Sequence, residues 1–268
     1  MKVSPNGSIP VQATRGVMYD RNGVILAGSR PAYSVIMPVD RKGNTLSDDE
    51  LQKLSVLLKM PVADLKKKIE DNKRAFGAIY LANDVGVDVA TQIEEKKDDF
   101  PGIQIEVNPL RVYPLGAAGA QVLGYVGEAG PDDKDADGNP YTTATLIGRA
   151  GIERKYNQYL EGKNGSKTIE VNASGQPVGY VGGTPAVSGN NIRLTLDANL
   201  QKAAEDAIDS QVKILAKSGI YATGASAVAI DPNSGAVLAM VSEPSYDPNR
   251  FSKGISTADW NQIINNKN

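Results

Sequence analysis

Neither cysteine nor histidine occurs among the 268 residues. Their absence removes thiolate nucleophiles, imidazole bases and the common zinc and copper ligands, so any chemistry must rest on serine, lysine, tyrosine or carboxylates. Disulfides are excluded too, which suits oxidising and reducing compartments alike. There is no run of about 20 apolar residues, and Met1-Lys-Val-Ser-Pro-Asn-Gly7 lacks the apolar core of a signal peptide. The protein is therefore soluble, or its anchor lies outside this sequence. Positive charge is not in surplus either: 29 basic and 31 acidic residues give a net charge of −2, which offers no reason to expect nucleic acid as a partner. What remains is a globular composition, 41% hydrophobic and 22% charged, enough for one large domain or two ordinary ones.

Along the chain, Asp20-Arg-Asn-Gly23 carries a turn signal between Arg15–Tyr19 and the strand candidates Val24–Ala27 and Tyr33–Met37, which together suggest an exposed β-ribbon. Ser47-Asp-Asp-Glu50 is a capping box opening a helix to about Leu58, and Pro61 suits the first turn of another helix carrying Leu65 and Ile69. A third helix is expected over Val87–Lys97, then a strand at Ile103–Val107. Gly148–Gly162 reads as one short amphipathic helix with Ile152, Tyr156 and Leu160 on one side, and Lys167–Val171 as a strand. The Gly- and Pro-rich run Gly175–Gly189 reads as loop or linker, which places a domain boundary near Ser188. Beyond it, Asn191–Leu196 is a strand, and Asp197 or Asn199 caps a helix to about Lys217 with Leu200, Ala204, Ile208 and Val212 at four-residue spacing. Ala225–Ile230 and Ala236–Val241 then read as two buried strands joined by a tight turn at Asp231-Pro-Asn-Ser-Gly235.

Read in order, several groups of residues resemble the N-terminal part of class B penicillin-binding proteins, the membrane-anchored peptidoglycan transpeptidases. They are Arg15-Gly16 with Asp20-Arg-Asn-Gly23; Arg111-Val-Tyr113-Pro114 with Leu123–Gly127; Gly148, Gly151, Glu153, Tyr156, Leu160 and Gly162; Leu194–Asp197 with Leu200-Gln201 and Ala204-Glu205; and Ala225–Val241 with Tyr246-Asp-Pro-Asn249. Each group alone is weak, whereas the ordered series is specific. The last is most similar to the elongation-specific type. The resemblance implies an α+β chain: an elongated pedestal of β-ribbons and short helices, then an incomplete transpeptidase domain of the serine β-lactamase type. It divides into a linker or appended segment at 1–14, a pedestal or dimerisation domain at 15–188 and the start of the transpeptidase domain at 189–268. Arg15, Gly16, Asp20, Arg111, Tyr113, Pro114, Gly151, Glu153 and Tyr156 become structural motif residues, with arginine able to bridge carbonyls or carboxylates through its fixed fork.

Family catalysis uses a Ser-x-x-Lys element with Ser-x-Asn and Lys-Thr-Gly elements in one cleft. Imitations of all three occur here as Ser210-Gln-Val-Lys213, Ser188-Gly-Asn190 and Lys167-Thr-Ile169, in reversed order and with the glycine missing. Serine and lysine are common enough to produce such spacing by chance, and Ser210 lies inside a helix rather than at its start. In the family that the chain resembles, the Ser-x-x-Lys element follows the segment that ends here, so the resemblance implies a nucleophile beyond Asn268 and assigns no residue here a catalytic role. Asp133-Lys-Asp135-Ala-Asp137-Gly138 has the alternation that gathers carboxylates around Ca2+, but Ala144 stands where an EF-hand needs glutamate. The alternatives are a looser Ca2+ site at Asp133, Asp135 and Asp137 and a plain solvated loop. The pairs Glu94-Glu95 and Asp98-Asp99 read as a solvated helix end.

The resemblance further implies a non-catalytic role for this region in an enzyme that cross-links peptidoglycan stem peptides and is acylated by β-lactams. That enzyme would be anchored by an N-terminal helix on the extracytoplasmic face of a bacterial membrane. Glycosyltransferase and morphogenesis proteins, and a second copy in a homodimer, are the partners expected. Two rival readings are a self-sufficient serine hydrolase using Ser210 and Lys213, and a secreted Ca2+-binding module. The apolar strands 225–230 and 236–241 should pair with another copy, pack on the pedestal or be poorly ordered if nothing else completes their sheet.

Overall fold

The structure, a computed structural model, describes residues 7–38, 46–72, 78–130, 132–135, 138–139, 141, 145–171, 177–222 and 224–255. Strand β1 (Gly7–Val11) leads through an irregular segment to the short β2 (Met18–Tyr19). The chain then reverses at Asp20–Gly23, where Gly23 takes a φ of 90° and the Asp20 amide donates to the Val24 carbonyl at 2.8 Å. It continues into β3 (Ile25–Pro38), a single strand of 14 residues. β3 is no exposed ribbon: Val35 and Met37 are almost wholly buried.

They are covered by helices whose starts follow the local signals. Helix α1 (Asp48–Leu58) begins at the capping box, with Ser47 Oγ accepting from the Glu50 amide at 3.3 Å and Glu50 Oε2 accepting from the Ser47 amide at 2.6 Å. Helix α2 (Val62–Asp71) starts immediately after Pro61. Strand β4 (Ala78–Val85), helix α3 (Val87–Glu95) with one 3-10 turn at Lys97–Asp99, and β5 (Gln104–Val112) complete this half. A first core gathers Val35 and Met37 of β3, Leu51, Leu54, Leu65 and Ile69 of the helices, and Ile79 and Leu81 of β4.

β5 runs antiparallel along β3 from Gly28 to Ile36, whereas β2 reaches only Ala27 and β4 only Tyr33 on the opposite edge. At the waist between them Pro31 faces Pro109 across the ladder. Proline has no amide hydrogen to donate, so the pair suits the place where the sheet passes from one set of neighbours to another.

The next segment is short and tightly turned: α4 (Ala120–Leu123), a hairpin of β6 (Val126–Glu128) and β7 (Leu146–Gly148), then α5 (Gly151–Lys155) and α6 (Asn157–Leu160). The single helix expected over Gly148–Gly162 is thus two, broken at Tyr156, whose φ of −110° leaves the helical range. Leu160 is buried as its spacing suggests, but Tyr156 is 42% exposed and lies beside the ring of Tyr159. β8 (Gly165–Val171) pairs antiparallel with β1 and with β9 (Pro177–Thr184). β9 takes up Pro177–Thr184 of the loop expected at Gly175–Gly189, because an antiparallel ladder draws on backbone groups that glycine supplies as well as any residue, while residues 185–189 belong to no named strand and 175–176 lie outside the described residues.

β10 (Ile192–Arg193) then adds in parallel to β2, and α7 (Ala198–Lys217) starts at Asp197, whose side chain accepts from the Asn199 and Leu200 amides. β11 (Ala225–Ile230) and β12 (Val237–Glu243) form the expected hairpin, with Gly235 at a φ of 71° closing its turn, and α8 (Asn249–Ser252) follows. β12 buries Ala239 and Val241, but β11 is not buried: Val228 and Ile230 are 54% and 55% exposed. On α7 the buried residues are Ala198 and Gln201 rather than the face headed by Leu200.

A second core spans the boundary expected near Ser188, joining Met18, Leu26, Tyr113, Leu123 and Leu160 to Leu196 and Ala198. The chain crosses itself there with backbone in direct contact. The Gly16 amide donates to the Leu160 carbonyl at 2.8 Å, that of Gly189 to Thr14 at 2.9 Å and that of Asn190 to Tyr159 at 2.8 Å. A Cβ on Gly16 would stand 1.9 Å from the Asn190 carbonyl oxygen, and one on Gly189 would stand 1.9 Å from that of Leu160. We therefore expect Gly16→Ala to cost about 3 kcal/mol of unfolding free energy in urea. Gly23→Ala, which meets nothing within 4 Å and bears only the left-handed backbone penalty, should cost about 1 kcal/mol.

Candidate functional site

The crossing is held by a buried ionic cluster. Glu153 on α5 is fully buried, and Arg15 and Arg111 are 7% and 2% exposed. Arg15 Nε donates to Glu153 Oε2 at 2.6 Å, and its Nη2 donates to the Glu153 carbonyl oxygen at 3.0 Å. Arg111 Nε donates to Glu153 Oε1 at 2.7 Å, while its Nη1 donates to the Gly16 carbonyl oxygen at 2.6 Å. The Tyr113 hydroxyl also donates to Glu153 Oε1, at 3.1 Å. Burial, and then the neighbouring Glu153 carboxylate, push the Tyr113 phenol well above its ordinary range, so it remains a donor. The carboxylate thus draws together the segment before β2, the end of β5 and α5.

Asp20 is a second, separate hub, also fully buried. It accepts from the amides of Asn22 at 2.7 Å, Val24 at 2.8 Å and Ala198 at 3.0 Å. Burial alone would raise its pKa, but the amides of Ala198, Val24 and Asn22 outweigh that and hold it below the ordinary 3.8. One carboxylate therefore shapes the β2–β3 turn and caps the start of α7.

Two amides complete the joint. Gln201 on α7 clamps the backbone of Met240 in β12, its Oε1 accepting at 2.8 Å and its Nε2 donating at 2.9 Å. Asn249 on α8 does the same to Tyr113, its Oδ1 accepting from the amide at 2.8 Å and its Nδ2 donating to the carbonyl at 3.0 Å. Beside it the ring of Phe251 stacks on Tyr125 at 4.0 Å, and the Tyr246 hydroxyl donates to the Ala120 carbonyl at 3.2 Å. On the far side of β3, Lys253 Nζ reaches Asp84 Oδ2 at 2.9 Å, a carboxylate that also pairs with Arg30.

The remaining motif residues have plainer places. Pro114 is exposed just past the end of β5. Gly151 opens α5 at a φ of 55°, where a Cβ would meet the Val122 carbonyl at 2.5 Å. Tyr156 lies outside the cluster. Gln201 and Asn249 were within recognisable groups of residues, but nothing in their spacing revealed that each would grip a backbone.

Ser210 and Lys213 lie on an exposed face of α7, and Lys213 Nζ is paired with Asp209 at 2.5 Å. That hydrogen bond raises the lysine pKa, the opposite of what a base serving a serine requires. Lys167-Thr-Ile169 lies in β8 and Ser188-Gly-Asn190 in the crossing, on separate elements. Asp133 is engaged by Arg149 at 2.7 and 3.2 Å and by the Gly130 amide at 2.7 Å, while Asp135 binds its own turn through the Asn139 amide at 2.8 Å. Asp137 lies outside the described residues. Among the described residues no cluster of three or more metal-ligating side chains is found.

An α+β pedestal whose ordered motifs converge on one buried joint defines a class, and the chain belongs to it. The family described as the penicillin-binding protein dimerisation domain matches residues 10–194, and that described as the penicillin binding protein transpeptidase domain matches residues 225–267. The peptidoglycan D,D-transpeptidase MrdA of Escherichia coli K12 is 35% identical over 268 residues, covering 97% of this chain and 40% of that protein. FtsI of the same strain is 29% identical over 258 residues, covering 95% of this chain and 40% of that protein. The complex of penicillin-binding protein PBP2 with MreC from Helicobacter pylori superposes with a TM-score of 0.72 at 26% identity, over 98% of this chain and 47% of that one. The chain thus spans about two fifths of the length of the curated relatives it matches. Among the described residues no helix is long and apolar enough to cross a membrane.

Glu153→Gln should leave two buried arginines short of a charge partner and cost about 3–5 kcal/mol, measured as a fall in urea midpoint with unchanged slope. The Asp20 contribution has a definite pH signature. It is fully present above the ordinary carboxyl value of 3.8 and is lost as pH falls through the lower folded value. Asp20→Asn should accordingly flatten the acid limb of the stability profile; an unaltered limb would show that the amides do not hold the charge.

Proposed function

We propose that this chain is the pedestal, together with the opening part of the transpeptidase domain, of a membrane-anchored peptidoglycan D,D-transpeptidase of the elongation type. Its own residues perform no acyl transfer. Their task is to hold the catalytic domain in a fixed pose, and the observation that carries this reading is the Asn249–Tyr113 clamp. The segment that matches the transpeptidase family is fastened through Asn249 to the backbone of Tyr113, and the hydroxyl of that same Tyr113 rests on Glu153.

In the complete enzyme a serine outside residues 1–268 would be acylated by a stem peptide, passing the acyl group to the amine of a neighbouring stem, and β-lactams would trap that serine. The similarity to peptidoglycan D,D-transpeptidases supports the substrate class and the extracytoplasmic setting. The relative solved with MreC supports a morphogenesis partner for the pedestal. A glycosyltransferase and a second copy are further partners on this reading. The exposed Val228, Ile230 and Met240 support a hairpin whose outer face is covered by the rest of the transpeptidase domain.

Fluorescent penicillin should label the complete gene product but not residues 1–268 alone, where stoichiometric labelling at Ser210 would overturn the assignment. Asn249→Ala in the complete protein should slow acylation severalfold by loosening the clamp, with the reactive serine untouched. An unchanged acylation rate would mean that the clamp does not position the catalytic domain. Light scattering provides a third measurement: residues 1–268 should self-associate through the β11–β12 face, and Val228→Glu should reduce that association.

A further inference from the structure

Among the described residues only Asp84 and Lys59 take a positive φ without being glycine, and Lys59 does so at the end of α1. The φ of 55° at Asp84 lies in the left-handed region, which aspartate visits more readily than most residues but at a cost that glycine would avoid. A bulge turns the backbone there: while β3 takes two steps, from Val35 to Tyr33, its partner β4 takes three, from Ala82 to Val85. Bulges re-aim a side chain out of the alternation of a strand, and left-handed backbone kept at a non-glycine position points to a use for that side chain.

The bulge presents a carboxylate, 11% exposed, to cations from two other elements. Arg30 Nη2, at the waist of β3, donates to both oxygens at 2.7 Å, and Lys253 Nζ, from the residue that ends α8, reaches Oδ2 at 2.9 Å. Behind the bulge, β4 is fixed to the first core through Ile79 and Leu81, and Lys68 Nζ on α2 donates to the Leu81 carbonyl at 3.0 Å. Helix α8 is thereby held at both ends. Its first residue, Asn249, is clamped to Tyr113 just past β5, while Lys253 is drawn to β4, and these two strands flank β3 on opposite edges. One attachment fixes a position, whereas a second on the opposite edge also fixes a direction.

Resting on the pedestal reading above, we propose that Asp84 is a positioning residue for the transpeptidase segment: the bulge in β4 aims its carboxylate at Lys253, and this pair sets the direction in which α8 leaves the pedestal. Arg30 and Lys253 are 46% and 53% exposed, so water takes up their charge when the carboxylate is removed. An ion pair this open contributes little to global stability, and its effect falls on orientation.

Asp84→Gly separates the two, because it removes the carboxylate and the left-handed strain together. In residues 1–268 its urea midpoint should not fall. Amide hydrogen exchange at Phe251 and Gly254, whose amides close the turns of α8, should meanwhile quicken about two- to fivefold. In the complete gene product the same substitution and Lys253→Met should each slow acylation by fluorescent penicillin by about that factor, and Lys253→Arg should keep the wild-type rate. Combining Asp84→Gly with Lys253→Met should be no slower than the slower single variant, because both remove one contact. Unchanged exchange at α8, a lowered urea midpoint, an unchanged acylation rate, additive losses or a slowed Lys253→Arg protein would each overturn the proposal. A wild-type protein that fluorescent penicillin does not label would overturn the transpeptidase assignment instead, and the exchange measurement would still decide the role of Asp84.

Discussion

Glu153 brings a carboxylate into a fully buried position, and the arginines that meet it there are separated from it by 138 and 42 residues of chain. Desolvating such a group is expensive, and an apolar replacement of similar shape would often be no less stable, so the ion pair is poorly explained as a source of stability. It is better explained as a fixed point. Each arginine spends a second nitrogen on a backbone carbonyl, Arg15 on Glu153 itself and Arg111 on Gly16. Guanidinium donors lie in one rigid plane, so these paired contacts set direction as well as distance. Only one path of the chain past Gly16 satisfies all of them, and that path brings Gly189 and Asn190 against it.

The fixed point then reaches outward through polar contacts of high geometric demand. Tyr113 touches Glu153 through its hydroxyl and Asn249 through its backbone, linking α5 to α8 across a single residue. Asp20 links the first turn of the chain to the start of α7, and Gln201 carries that link into β12. Asp20, Gln201 and Asn249 are buried or half-buried side chains that meet backbone groups, and losing one would remove bonds made inside the joint rather than at its surface.

The sequence was most legible where a signal is local. The capping box at Ser47, the turn at Asp231–Gly235 and the helix after Asp197 all rest on contacts within a few residues, and all are found where expected. Burial was harder to read, because it depends on what arrives from elsewhere. β3 is covered by helices that its own alternation does not mention, β4 went unnoticed, and the Leu200 face of α7 is not the face that packs. β9 eluded a reading based on side chains because its pairing is made by backbone. At the site, Arg15, Arg111, Tyr113 and Glu153 could be singled out individually as members of ordered motifs. Their convergence on one carboxylate is a property of the crossing, and no spacing along the chain encodes it. The breaks in expectation at Tyr156 and at the Asp133 loop have the same origin: one helix is interrupted after Lys155, and a carboxylate that could face a cation in solution faces Arg149 instead.

The boundary expected near Ser188 does not separate two bodies. Met18 and Leu26 on one side share a core with Leu196 and Ala198 on the other, and β10 completes its pairing only by lying against β2. A recombination event that exchanged the catalytic half between relatives at residue 188 would split this core and leave Gly16 facing a foreign strand. The natural unit of inheritance therefore crosses that boundary: the residues around 10–30 must travel with those around 190–200, although most of the pedestal lies between them in the gene.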